Sequence, residues 1–177
     1  MKELSLHILD IVKNSVAADA DNVRILITQE GNALTIVIED DGKGMSPELL
    51  AQVTDPFTTT RTTRKVGMGI PLYRLAAEQT GGSLSIESTE GEGTTVTAVF
   101  HTDDVDCAPM GDLAGTVALL VQGSPWVDFY LERTTPKGFY YFSTAELREE
   151  LGHEVSLDEP EVFLWLNGYL EDLENEV

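Results

Sequence analysis

Asp40-Asp41-Gly42-Lys43-Gly44-Met45 leaves the run Leu34-Thr35-Ile36-Val37-Ile38, whose β-branched content reads as a strand. A carboxylate at a strand end followed by two spaced glycines is, alone, an ordinary turn. Here it stands between Asp10-x-x-x-Asn14, on a stretch with helical spacing, and Gly67-Met68-Gly69-Ile70, where another helical stretch begins. Asp40 can accept a hydrogen bond from an exocyclic amine, while Gly42 and Gly44 let backbone approach a flat base closely. Asn14 offers a neutral oxygen that suits Mg²⁺ beside phosphate oxygens. Gly67-x-Gly69 offers free N–H groups and a helix dipole to an anion. The three elements together read as a nucleotide pocket.

Working outward, Leu4, His7, Ile8, Ile11, Val12, Ser15 and Val16 fall near a three-four spacing, which predicts a helix with one apolar face. Asp10 and Asn14, four apart, then project from one edge of it. Val23–Ile27 and Leu34–Ile38, separated by Glu30-Gly31-Asn32, predict a hairpin. Ser46-Pro47-Glu48 opens a short helix, with Pro47 in the first turn. Residues Thr54 to Val66 read as a loop that carries Arg61, Arg64 and Lys65. A helix follows from Ile70 to Thr80 and ends at Gly81-Gly82. Strands Ser83–Ser88 and Thr94–Phe100 complete an α+β sandwich with a mixed or antiparallel sheet and helices on one face.

The chain of 177 residues has a formal charge of −20, which disfavours nucleic acid and favours a basic or neutral partner surface. Its single cysteine, Cys107, excludes an internal disulfide framework and fits a reducing cytoplasm. Charged residues interrupt the N-terminal apolar stretch, and Val117–Val121 is too short to span a bilayer, so the expectation is a soluble protein without membrane attachment. Residues 1–100 hold 14 acids and 8 bases, whereas residues 101–177 hold 17 acids and 3 bases. The shift falls on the polar, proline-ended segment His101–Pro109, which sets an expected boundary between a unit at 1–102 and a small acidic one at 103–177.

The first hundred residues resemble the Bergerat-type ATP-binding domain of the GHKL superfamily, shared by gyrase, heat-shock chaperones, sensor histidine kinases and mismatch-repair ATPases. Leu9 to Ser15 is similar to its asparagine box, which implies Asn14 as the Mg²⁺ ligand. Asp40 to Met45 resembles the first glycine box, which implies Asp40 as the adenine acceptor, with Gly42, Gly44 and Met45 beside it. Asp55 to Arg61, with Phe57 and Thr58, resembles the phenylalanine box of sensor kinases. Gly67-Met68-Gly69-Ile70 resembles the second glycine box, which ends the ATP lid. Gly93-Thr94 matches the closing pair, whose threonine supports the adenine contact. The resemblance implies ATP and Mg²⁺ as ligands, and Arg61, Arg64 and Lys65 as phosphate-side cations. It also implies a kinase-like role in signal transduction, with anti-sigma serine kinases as a second likeness.

Two departures bear on the chemistry. Asp10 stands where the family usually has Glu, which shortens the reach of a catalytic base. Within these residues no helical hairpin carries a phosphoacceptor histidine, and His7 is expected to pack. The C-terminal part predicts α-β-β-α-α: a helix from Asp112 to Gln122, aromatic strands Trp126–Leu131 and Phe139–Phe142, a capping box at Ser143–Glu146, and a helix from Glu161 to Leu173. Its function is not legible, though sensing, self-association or partner docking would suit such a module. The residues leave three functions open: a stand-alone regulatory protein kinase acting on a separate partner, an ATP-sensing binding module, and a slow ATPase switch. Removal of 103–177 is expected to leave a folded core, unless the aromatic hairpin completes the sheet of the first part.

Overall fold

The computed structural model describes residues 2–54 and 69–177; Phe57, Thr58, Arg61, Arg64, Lys65, Gly67 and Met68 lie outside the described residues. In chain order the elements are α1 (Leu4–Ala17), β1 (Asn22–Glu30), β2 (Ala33–Asp40), α2 (Pro47–Thr54), α3 (Gly69–Gln79), β3 (Ser83–Thr89) and β4 (Gly93–His101). They are followed by α4 (Leu113–Gly123), β5 (Asp128–Thr135), β6 (Gly138–Ser143), α5 (Thr144–Leu151) and α6 (Pro160–Asn175). The strands make one six-stranded sheet in the order β3-β4-β2-β1-β5-β6. Every neighbouring pair is antiparallel except β1 and β5, which run parallel. This is the expected α+β architecture with a mixed sheet.

Period-two alternation decides which face is covered. Val23, Ile25 and Ile27 of β1 lie level with Ile38 and Ile36 of β2, Val96 and Ala98 of β4, and Phe129 and Leu131 of β5. All are buried, under the layer that α1 and α3 begin and α4 continues between α1 and α6. The opposite face carries Arg24, Glu39, Thr97, Tyr130 and Tyr141, and there Arg24 pairs with Glu39 at 3.0 Å and lies over the Tyr130 ring.

The charge boundary at residue 102 does not interrupt this framework. Asn22↔Asp128 through Thr28↔Thr134 pair across it, and one hydrophobic core runs from Leu4 to Leu170. A parallel neighbour requires a long crossover, which residues 102–127 supply with α4 inside it. The crossover also caps α1. Leu4 N–H donates to the Pro109 carbonyl at 3.0 Å and Ser5 N–H to Met110 at 2.9 Å, satisfying donors that a helix start leaves open.

Local signals hold at the second half's termini. Asp112 caps α4 by accepting from Gly115 N–H at 2.9 Å, and Ser143 caps α5 by accepting from Glu146 N–H at 3.4 Å. Trp126 departs from its expected place in a strand. The chain is still turning there, with Val127 N–H donating to the Ser124 carbonyl, and β5 starts at Asp128. No helix among the described residues is long and apolar enough to cross a membrane.

Candidate functional site

The site forms where the end of β2 meets α1. Asp40, the last residue of β2, pairs with Thr94 in β4 and Val23 in β1, so its side chain shares the covered face and meets the helix. Ser15 projects from the buried side of α1, and its hydroxyl donates to Asp40 Oδ2 at 2.6 Å. Gly42 N–H donates to Oδ1 at 2.9 Å. A carboxylate has about four acceptor positions, so both oxygens keep lone pairs after these bonds.

Thr94 is held from the other side. Its Oγ1 lies 2.8 Å from Ser88 Oγ, which also accepts from Met45 N–H at 2.8 Å and donates to the Gly93 carbonyl at 3.1 Å. With the Ser88 proton on that carbonyl, Thr94 becomes the donor to Ser88 and keeps its own lone pairs. One serine thus ties the glycine-rich loop to the β3–β4 hairpin. The loop is pinned further by Lys43 N–H on the Ala18 carbonyl at 2.8 Å and by Gly91 N–H on the Lys43 carbonyl at 2.7 Å. Gly44 is required where it sits: its φ is +68°, and a Cβ there would come within 2.1 Å of the Thr89 carbonyl oxygen.

A cavity of about 320 Å³ opens between these pieces. Ile11, Ile38, Met45, Leu49, Ile70 and Val96 give it apolar walls, and Asn14, Asp40, Lys43 and Thr94 supply its polar groups. Asn14 has a buried amide nitrogen without a partner, so the wall carries unused hydrogen-bonding capacity beside the carboxylate. Flat apolar walls, an acceptor held by two donors and an unsatisfied amide fit an amine-bearing ring with a polar tail. Among the described residues no three His, Cys, Asp or Glu side chains gather as a metal site; a metal at Asn14 would draw ligands from oxygens of the bound molecule.

The other expected residues separate. Gly42 contributes its N–H to Asp40 rather than a wall. Asp10 sits against the start of α3, its Cβ 3.0 Å from where a Cβ on Gly69 would lie, and its carboxylate pairs with Lys2 Nζ. It is not part of the described cavity lining. His7 packs, as expected: buried, with its ring stacked on Tyr73 at 5.3 Å, and Tyr73 in turn meets Phe100 at 5.8 Å with the rings tilted by 43°. Burial, helped by Lys2 and opposed by Asp10, lowers the His7 pKa.

Three participants escaped the sequence reading. Ser15 and Ser88 were legible only as a helix residue and a strand residue. Asp41 accepts from the N–H groups of Asp21 and Asn22 and from Asn22 Nδ2, each at 2.8 Å, which braces the start of β1 against the loop. Burial alone would raise the Asp41 pKa, but these hydrogen bonds, the Asn22 side chain foremost, hold it below the ordinary value. The repeated carboxylate in Asp40-Asp41 was the available signal: adjacent positions point to opposite faces of a strand end and serve different partners.

Residues 2–104 match the family of histidine kinase-, DNA gyrase B- and HSP90-like ATPases, and the chain belongs to it. An uncharacterized sensor-like histidine kinase of Rhizobium meliloti is 30% identical over 131 residues, covering 70% of this chain and 25% of the relative. The sensor kinase CckA of Brucella abortus is 28% identical over 168 residues, covering 82% and 18%. Sporulation kinase E of Bacillus subtilis is 30% identical over 102 residues, covering 56% and 13%. The chain spans a quarter or less of each of these relatives.

Proposed function

We propose that the cavity binds the adenine of ATP, with Mg²⁺ on the phosphates, and that the protein is a regulatory, kinase-like ATP-binding protein acting on a separate protein partner. One observation carries the reading: Asp40, a carboxylate in an apolar cavity, held by Ser15 and Gly42 with acceptor capacity left over. A charge kept among apolar walls is costly unless a donor meets it. The adenine amine is such a donor, with Thr94 supporting the contact and Ile11, Ile38, Met45, Ile70 and Val96 flanking the rings. Asn14 would give an oxygen to Mg²⁺. On sequence grounds, Phe57, Thr58, Gly67, Met68 and Gly69 belong to the lid, with Arg61, Arg64 and Lys65 toward the phosphates. Bound ATP would supply its γ-phosphoryl group, the bond to the bridging oxygen breaking as the bond to the partner's oxygen or nitrogen forms, with ADP as the leaving group and Mg²⁺ offsetting the phosphate charge. In that reaction Asp10 would take the proton of a partner hydroxyl or imidazole on a carboxylate oxygen. A cytoplasmic setting belongs to the same reading, supported by the unpaired Cys107. So does a kinase-like partner relation of the kind borne by the names of the relatives.

A second reading, an ATP sensor without transfer, is favoured by Asp10 itself. Its side chain is one methylene shorter than the family's Glu and is engaged by Lys2. Calorimetric titration with ATP, with and without Mg²⁺, tests the common part. Absence of binding sinks both readings. γ-Labelled ATP with cell extract separates them: label on a protein supports the kinase, binding without label supports the sensor, and free phosphate alone points to an ATPase switch.

A further inference from the structure

A second cleft, about 300 Å³, lies between β6, α5 and α6, away from every residue of the nucleotide cavity. Aromatic faces build it. Trp165 and Tyr169, one turn apart on α6, stack at 5.1 Å with 7° between their planes, and Tyr141 of β6 stands beside them. These rings are not core: Trp165 is 50% exposed, Tyr141 46% and Tyr169 41%. An exposed stacked aromatic pair that lines a cleft with a third exposed ring suits an interaction surface.

The same cleft holds Glu146 and Glu150, one turn apart on α5. Tyr141 donates its phenol proton to Glu146 Oε1 at 3.1 Å, which leaves the other oxygen of that carboxylate uncommitted. No cation lines the cleft among the described residues. Residues 101–177 contain Arg133, Lys137 and Arg148 as their only Lys or Arg. Arg133 is bonded to Glu174, Arg148 to Asp128 and the Pro125 and Val127 carbonyls, and Lys137 sits in the β5–β6 turn. Arg24 lies over Tyr130, on which Tyr141 stacks at 5.9 Å, but it does not line the cleft. Within the cleft, carboxylates and ring faces therefore meet with no cation among the described residues. A flat cation that stacks on rings and bridges two carboxylates suits this arrangement, and a guanidinium does both where an ammonium only supplies charge.

We propose that this cleft binds an arginine side chain of a basic segment on a partner protein. The inference goes beyond nucleotide binding and stands whether or not the cavity at Asp40 takes ATP. It gives the acidic second half a recognition role that its composition alone leaves undefined.

The test follows the indole N–H resonance of Trp165 in ¹H–¹⁵N spectra of the full chain. Trp126, exposed and outside the cleft, is the internal reference. The probe is acetyl-Gly-Arg-Gly-amide, with the citrulline peptide as its uncharged isostere. Trp165 should shift saturably with the arginine peptide and stay still with citrulline, while Trp126 does not move. Glu150→Gln and Glu146→Gln should each weaken binding about threefold to fivefold, the range of a partly exposed ion pair. Glu149→Gln removes the same charge from the same helix outside the cleft and should change binding by less than about twofold. An unmoved Trp165, equal shifts with citrulline, or a loss in Glu149→Gln equal to that in Glu150→Gln would overturn the proposal. The last outcome would assign the attraction to the overall negative charge. A lysine peptide that binds as tightly as arginine would also overturn it, because the stacking argument requires a planar cation.

Discussion

The two clefts of this protein sit on halves of one sheet and use the same ingredients, apolar or aromatic walls and carboxylates, in opposite arrangements. At the β2 end the carboxylate of Asp40 is held by Ser15 and Gly42, and loop, helix and hairpin are cross-tied by Ser88. At the β6 end Glu146 and Glu150 stand on one face of a short surface helix, and among the described residues Glu146 is held by Tyr141. The first arrangement suits a rigid ligand of defined shape, because its acceptor is placed before the ligand arrives. The second suits a flexible charged side chain, because rings and rim carboxylates tolerate several approaches. If both proposals hold, one fold separates recognition by placement from recognition by charge.

The comparison breaks most completely if the halves are separate folding units. Cutting after residue 102 removes the strand beside β1, the α4 that packs on α1, and the carbonyls of Pro109 and Met110 that cap α1. The freed N–H groups would turn to water, but the apolar surface of β1 and α1 that the second half covers would be exposed, against a total stability of about 5–15 kcal/mol. Residues 1–102 alone should therefore lack a cooperative thermal transition in the absence of nucleotide. A sharp transition that ATP shifts upward would show two independent units instead.

Next in size, Asp40→Asn should lower ATP affinity by roughly 10- to 150-fold, the loss of a charged hydrogen bond of about 1.5–3 kcal/mol. It should leave the arginine-peptide response of Trp165 unchanged. Calorimetry reads the first effect and the indole resonance the second; a joint loss would mean that the two clefts are not independent. Gly44→Ala should destabilise the fold by about 1–3 kcal/mol, because a side chain is strained at this φ and its Cβ meets the Thr89 carbonyl. Chemical denaturation measures it, and a neutral result would mean that the loop is free to move away from the hairpin.

Asn14→Ala should abolish the Mg²⁺ dependence of ATP binding and leave adenosine binding largely intact. Equal losses for both ligands would make Asn14 a structural residue of the adenine wall. The smallest effect concerns His7, whose folded pKa lies below its ordinary 6.5. Between the two values the unfolded chain binds more protons, so the neutral ring's contribution is present above about pH 6.5 and is lost as the pH falls below it. The slope cannot exceed about 1.4 kcal/mol per pH unit. His7→Phe should keep the stack on Tyr73 and flatten the stability profile between pH 7 and 5; an unchanged profile would exclude His7 as its source.

Much of this protein was legible before any tertiary contact was known. The α1 periodicity put Ile8, Ile11 and Val12 inside, and the β-branched runs became β1 and β2. The spacing of Ser143 and Glu146 announced the start of α5, and Asp40, followed by Gly42 and Gly44, announced an acceptor at a strand end. These are local rules: a side chain's face follows from its distance along one element, and a cap from its position a few residues ahead of another. Tertiary structure alone decided the partners. Ser15 reaches Asp40 across 25 residues and Ser88 reaches Met45 across 43. The charge step at residue 102 looked like a domain boundary, yet β5 lies against β1 and the crossover caps α1. Composition records which surface meets water, and periodicity records which face is buried. Neither records which strand lies beside which, because that is set by how helices of given length return the chain to one shared sheet.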